Sequence, residues 1–240
     1  MKIIAGTPEQ LSAEMLSEMA RYRYRVFVEK LGWDLPTRDR MELDQFDRCD
    51  TCYVIARDAS GEIVGTARLL PTHRPYLLAS VFPQLLGGAA APCTPLVWEL
   101  SRFAAVDFGA DPRGVEDALG SSAALTLLSA AMRAAAHRGA RRLISASPVG
   151  IERILRRAGV TARRVAPPTL VDGRNLFACL IKIDKRWRPP KDRRGDLPRP
   201  LTRPWHAAAA APGISRECQG ATNVPRPSSC CWPAAWRSHS

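Results

Sequence analysis

The chain has 240 residues, 46% hydrophobic and 24% charged, which suits one globular domain of ordinary size with a modest extra segment. These fractions exclude wholesale disorder and fibrous repeats. No apolar run approaches the roughly 20 residues of a membrane-spanning helix, and MKIIAGTPEQ lacks a secretory apolar block, so no membrane span and a cytoplasmic location are expected. The net charge of +12 is unevenly spread: residues 1–184 hold 24 Lys and Arg against 20 Asp and Glu, whereas 185–240 hold 11 against 3. That last segment contains nine prolines and no periodic apolar face, so it reads as a basic, disordered tail. A nucleic-acid arm is the lesser alternative for it, and no nucleic-acid partner is expected. The seven cysteines are an odd, scattered count, which suits reduced thiols.

Taken in chain order, Leu11, Met15, Met19, Tyr22, Val26 and Leu31 recur at steps of mostly three and four, so an amphipathic helix is expected over 11–31. CYVIAR (52–57) and EIVGTARLL (62–70) flank Asp58-Ala59-Ser60-Gly61 and read as an antiparallel hairpin. Residues 71–95, with five prolines, read as loop. LVWELSRFAAV (96–106) is a strand with Val97, Glu99, Ser101 and Phe103 on one face, unless a bulge intervenes. Val115 to Arg138 is Ala- and Leu-rich and stops at Gly139, as a helix does. RRLISAS (141–147) reads as a strand, then Ser147 caps a helix with Pro148 in its first turn and Gly159 at its end. RNLFACLIKI (174–183) is the last strand. The expected fold is α/β, with a mixed, largely antiparallel sheet and helices on both faces.

Three clusters carry chemistry. Arg23 and Phe27 lie one helical turn apart and Trp33 follows Gly32; a cation beside aromatics can hold a planar or cationic ligand, but spacing alone favours core packing of a helix end. Asp44 and Asp47 pair carboxylates just before a strand, which serves a cationic substrate or a basic side chain as well as solvent. No His or Cys neighbour completes a metal set, so no metal is expected. Arg68, Glu99 and Arg102 sit in apolar strands, where charge must be paired if buried. A structural ion-pair network and an active site both satisfy that demand.

In combination, RYRVF (23–27), LGWDL (31–35), ELDQFD (42–47), ARLLPT (67–72), SVFPQLLG (80–87) and VWELSRFAAV (97–106) resemble the acyl-homoserine-lactone synthases, the autoinducer synthases of bacterial quorum sensing. The resemblance spans roughly residues 1–184, the expected catalytic domain, and leaves 185–240 unmatched. It implies a fold similar to the N-acetyltransferases (GNAT) and two substrates, S-adenosyl-L-methionine and an acylated acyl-carrier protein. S-adenosylmethionine is consumed, so no cofactor is implied.

By the resemblance, Glu99 is the candidate base, with Asp44, Asp47, Arg68 and Arg102 around it. Arg23, Phe27, Trp33, Arg102 and Phe103 form the S-adenosylmethionine site. Phe82, Trp98, Leu100, Ser101, Ser145 and Ser147 line an acyl-chain pocket, for which a medium unsubstituted chain is expected. Arg141, Arg142, Arg153, Arg156 and Arg157 form a basic face for an acidic carrier. An N-acetyltransferase using acyl-CoA is the rival reading. The pyrophosphate loop of such enzymes is not found in RGVEDALGS (113–121), which favours a carrier-bound donor.

Overall fold

The structure, a computed structural model, describes residues 1–109, 121–184 and 186–189. Strand β1 (Lys2–Gly6) leads into helix α1 (Ala13–Arg23), whose first turn is capped by the Ser12 hydroxyl accepting from Met15 N at 3.2 Å. The expected helix over 11–31 is helical but not uniform: Tyr24–Lys30 widens into a π-helix. A short ribbon follows, β2 (Thr37–Arg38) with β3 (Met41–Glu42), then the expected hairpin, β4 (Cys52–Arg57) with β5 (Ile63–Pro71).

The expected loop at 71–95 contains helix α2 (Leu77–Val81) and a 3-10 turn (Pro83–Leu86). Burial of Leu78, Leu85 and Leu86 against the sheet holds these short pieces, and five prolines hide that signal in the sequence. Strand β6 (Val97–Ala104) precedes α3 (Ser122–His137), capped by the Ser121 hydroxyl at 3.1 Å from Ala124 N. The earlier part of that expected helix, 115–120, lies outside the described residues. Then come β7 (Arg142–Pro148), α4 (Ile151–Arg157), β8 (Ala162–Arg164), β9 (Thr169–Val171) and β10 (Arg174–Lys182).

Pro148 ends β7 rather than opening a helix. Leu176 pairs with Pro148, and Val149 N donates to Asn175 O at 3.2 Å, so partner β10 keeps this segment extended until Gly150 turns the chain. Strands β1, β8 and β9 are short edges that carry little alternation of their own.

The sheet runs β1-β4-β5-β6-β7-β10-β8, with β9 also on β10. Every pairing is antiparallel except β6 with β7, the two strands joined through the crossover that contains α3. The expected mixed, largely antiparallel sheet is therefore the one observed. Helices α3 and α4 cover one face, over Val54, Ala67, Leu69, Trp98, Leu100, Leu143 and Phe177. Helix α1 covers Tyr53 and Ile55 on the other, and α2 covers Leu70, Val97 and Ile144. At Gly65 a Cβ would come within 3.2 Å of both Leu127 Cδ2 and Ala104 O, which shows how closely α3 lies on the strands.

Two irregularities in the sheet set the geometry of its functional face. Between Thr66↔Ala104 and Arg68↔Ser101, β6 advances three residues while β5 advances two, and Arg102 sits there at φ +50°. This bulge reverses the alternation beyond Ser101. Phe103, expected on the face of Glu99, therefore packs on the α3 side, while Arg102 joins the face of Glu99. Separately, β6 and β7 pair only through Val97↔Arg142, Trp98↔Leu143 and Glu99↔Ile144; pairing ends there although both strands continue.

Candidate functional site

Six ionic side chains from five parts of the chain meet on the α1 side of the sheet. Arg23 comes from the end of α1, Glu42 from β3, Asp44 and Asp47 from the following loop, Arg68 from β5 and Arg102 from the bulge. Arg23 donates to Glu42 Oε2 at 2.6 Å and to Asp47 Oδ1 and Oδ2 at 2.7 and 3.0 Å. Arg68 donates to Asp44 at 2.6 and 3.1 Å, to Asp47 Oδ2 at 3.0 Å and through Nε to Ser101 Oγ at 3.1 Å. Arg102 donates to Glu42 Oε1 and to Asp44 Oδ2, both at 2.9 Å.

The loop itself aims the carboxylates, because Asp44 Oδ1 accepts from Phe46 N and Asp47 Oδ2 from Asp44 N, each at 2.8 Å. Three guanidinium groups face three carboxylates, so the cluster is neutral and its hydrogen bonding is dense. Burial of charge without such pairing would be very costly.

The cluster has an inside and an outside. Side chains of Arg23, Glu42, Asp47 and Arg68 are at most 1% exposed, whereas Arg102 is 5% and Asp44 7% exposed. Arg23 is thus an inner strut between Glu42 and Asp47, and Arg102 and Asp44 are the members of the cluster nearest solvent. Burial alone would raise the Asp47 carboxyl, but Arg23 and Arg68 reverse this and hold it far below the usual carboxylate range. Arg23 and Arg102 likewise overcome burial and lower Glu42. Neither is a proton acceptor near neutrality.

Glu99 behaves oppositely. It is 1% exposed and accepts from Leu77 N at 3.0 Å and Leu78 N at 2.6 Å, at the start of α2. Burial raises it to about 7, although the Leu78 N–H and the nearby Arg68 pull it down. A carboxylate tuned to neutrality beside neutralised ones is the arrangement that acid–base chemistry uses.

The aromatic pair adjoins the cluster. Phe27 and Trp33 stack at 5.0 Å with 27° between their planes, and the Arg102 guanidinium carbon lies 5.7 Å from the Phe27 ring centre. The π-helix matters here: Trp33 N donates to Phe27 O at 2.9 Å, tying the two residues together.

The sheet divides the expected acyl-pocket residues. Ser101 and Phe82 lie on the Glu99 side, while Trp98, Leu100, Ser145 and Ser147 lie on the α3 side. Leu100 and Ser145 come just after the last paired residues, where β6 and β7 part, and the Ser145 and Ser147 hydroxyls are 3.2 Å apart. Of the basic residues, Arg141 and Arg142 line a groove of about 310 Å³ with Arg163 and Lys182, whereas Arg153, Arg156 and Arg157 are exposed on α4.

Sequence reasoning passed over Glu42 and Tyr53. Glu42 bridges two arginines, and its place two residues before Asp44 on extended chain was the available signal. Tyr53, which donates to Asp47 Oδ1 at 2.8 Å, reads as an ordinary strand aromatic.

Residues 8–188 match the family model for autoinducer synthases. The chain belongs to the autoinducer synthase family. It is 50% identical over 183 residues to an acyl-homoserine-lactone synthase of Acinetobacter nosocomialis, covering 76% of this chain and all of that one. Its structure is similar to TofI, solved in a ternary complex with an inhibitor and MTA, at 48% identity and TM-score 0.67 over 78% of this chain and 94% of that one. It is also similar to BjaI, a CoA-dependent acyl-homoserine lactone synthase solved with SAM and isopentyl-CoA, at 27% identity and TM-score 0.66 over 77% and 84% of the two chains. The activity of the synthase is acyl-homoserine-lactone formation, and its fold is also similar to that of Escherichia coli ElaA, at 14% identity and TM-score 0.51 over 75% of this chain and 97% of that one. No helix among the described residues of the synthase is long and apolar enough to cross a membrane.

Proposed function

We propose that the synthase joins the acyl group of an acylated carrier protein to S-adenosyl-L-methionine, then closes the lactone. The methionine amine attacks the thioester carbonyl; its proton passes to Glu99, directly or through one water, and the carrier leaves as thiolate and is then protonated. The methionine carboxylate next attacks its own γ-carbon, and the sulfonium leaves as neutral methylthioadenosine. Sulfonium is a good leaving group, so the second step mainly requires folding of the chain, which intramolecular placement can favour by roughly 7–11 kcal/mol. S-adenosylmethionine is a consumed substrate in this scheme, and no cofactor takes part.

The observation that carries this reading is the contrast between Glu99, raised to about 7, and the arginine-bound Glu42 and Asp47, both lowered. An ionised Glu99 beside a neutral cluster leaves one negative charge for a sulfonium substrate. Phe27 and Trp33 wall the nucleotide side, Arg102 and Asp44 border it, and Arg23 and Asp47 brace them from within. The parting of β6 and β7 is a route through the sheet for the acyl chain, towards Leu100, Ser145 and Ser147.

TofI was solved with MTA and BjaI with SAM, in keeping with that substrate. Enzymes of this kind differ in donor, since BjaI and MesI are described as CoA-dependent. We assign the carrier-bound donor here on the exposed Arg141, Arg142, Arg153, Arg156 and Arg157, which complement an acidic protein. The test compares octanoyl-carrier protein with octanoyl-CoA, reading lactone by mass spectrometry. A lower KM is expected for the carrier-bound donor, rising on Arg156→Glu with Arg157→Glu. A lower KM for octanoyl-CoA, unmoved by the reversals, overturns the donor assignment.

A further inference from the structure

The hairpin of β9 and β10 turns through Asp172 and Gly173, at φ +47° and +74°, with Val171 paired to Arg174. Two central residues of positive φ make the tight reversal that suits right-handed strand twist. It carries Arg174 to the aromatic pair: the Arg174 guanidinium carbon is 5.8 Å from the Trp33 ring centre. Arg174, Trp33, Phe27 and Arg102 therefore form a run of planar contacts at 5.8, 5.0 and 5.7 Å, from the hairpin tip to the buried ion pairs.

A second observation points to a ligand. The indole Nε1 of Trp33 is buried and has no hydrogen-bond partner among the described residues. A buried donor without an acceptor costs about 1–3 kcal/mol, which an incoming acceptor recovers. The corner thus offers flat faces and N–H donors, while the nearby Glu42, Asp44 and Asp47 oxygens are taken up by arginines. That combination selects a flat group bearing acceptors.

We propose that Arg174 is a positioning residue which, with Trp33, holds the purine nucleoside end of S-adenosylmethionine. The assignment rests on S-adenosylmethionine being the substrate. The base stacks on Trp33 and Arg174 covers it. The present 5.8 Å is less than two van der Waals layers of about 3.5–4.0 Å each. The half-buried Arg174 side chain therefore swings aside on entry and closes afterwards.

The test uses the full chain with Arg174→Ala and Arg174→Lys. A guanidinium–ring contact of this kind predicts an increase of about 2- to 30-fold in KM for S-adenosylmethionine. Inhibition by methylthioadenosine should weaken by the same factor, with KM for the acyl donor unmoved and kcat changed far less. Lysine, which keeps charge but not the plane, should recover only part of the loss. A raised KM with unchanged methylthioadenosine inhibition would overturn the proposal, because it assigns Arg174 to the methionine carboxylate, which that product lacks. No change in either would reduce Arg174 to a structural contact. If the unaltered synthase forms no lactone from S-adenosylmethionine, the substrate reading itself falls.

Discussion

Glu99 and Asp47 are carboxylates of one site with opposite proton affinities, and the cause is their partners rather than their depth. Both are buried; Asp47 meets two guanidinium groups directly, and Glu99 meets two backbone N–H groups. The fold favours protonated Glu99, since its value of about 7 lies above the roughly 4.3 of an unfolded glutamate. Its contribution to stability is complete below about pH 4 and falls as pH rises to 7, by roughly 4 kcal/mol in all. Catalysis by ionised Glu99 follows the opposite slope and rises through about pH 7. Glu99→Gln should abolish both slopes and lower the single-turnover rate of amide formation by about 10²- to 10⁴-fold. An unchanged rate and profile would remove Glu99 as the base. Paired charges in this region were foreseeable, because arginines in apolar strands demand partners. The identity of those partners was not: Glu42 is far in sequence from Arg102, and only the folded chain brings their side chains to 2.9 Å.

Local patterning identified the α1 start, the β4–β5 hairpin and the long strands, because each has a strong period and clear punctuation. It failed where neighbours override it. Alternation put Phe103 with Glu99, and the bulge at Arg102 moved it to the other face. Pro148 has a helix-opening preference, yet pairing with Leu176 keeps it in a strand. The short elements after β5 depend on similar support. Gly87 ends the 3-10 turn at φ +58°, and a Cβ there would lie 2.5 Å from that of Ala166. Gly87→Ala should therefore destabilise the synthase by about 1–3 kcal/mol from the backbone conformation alone, with the contact adding to it. Denaturant unfolding measures this, and a midpoint equal to the parent would refute the strain argument.

At the scale of the whole molecule, the expected boundary at residue 184 cuts through a packed contact. Trp187 lies against the core on the α3 and α4 side, and its indole Nε1 donates to Ala158 O at 2.8 Å. A chain ending at 189 should be more stable than one ending at 184 by roughly 1–3 kcal/mol, from partial burial and one hydrogen bond. Equal thermal midpoints would count against it. The rest of the expected tail, 190–240, lies outside the described residues.

By itself the sequence determined the fold class, the principal strands and helices, and the set of charged and aromatic residues that the family resemblance singled out. These depend on short-range periodicity and residue type, both of which a linear chain carries. Tertiary structure alone decided which carboxylates are neutralised and which keeps its proton affinity, which face Arg102 and Phe103 take, and where β6 and β7 part. Each of those is a long-range outcome of strand register and burial, since a pKa or a facing direction belongs to the company a residue keeps after folding.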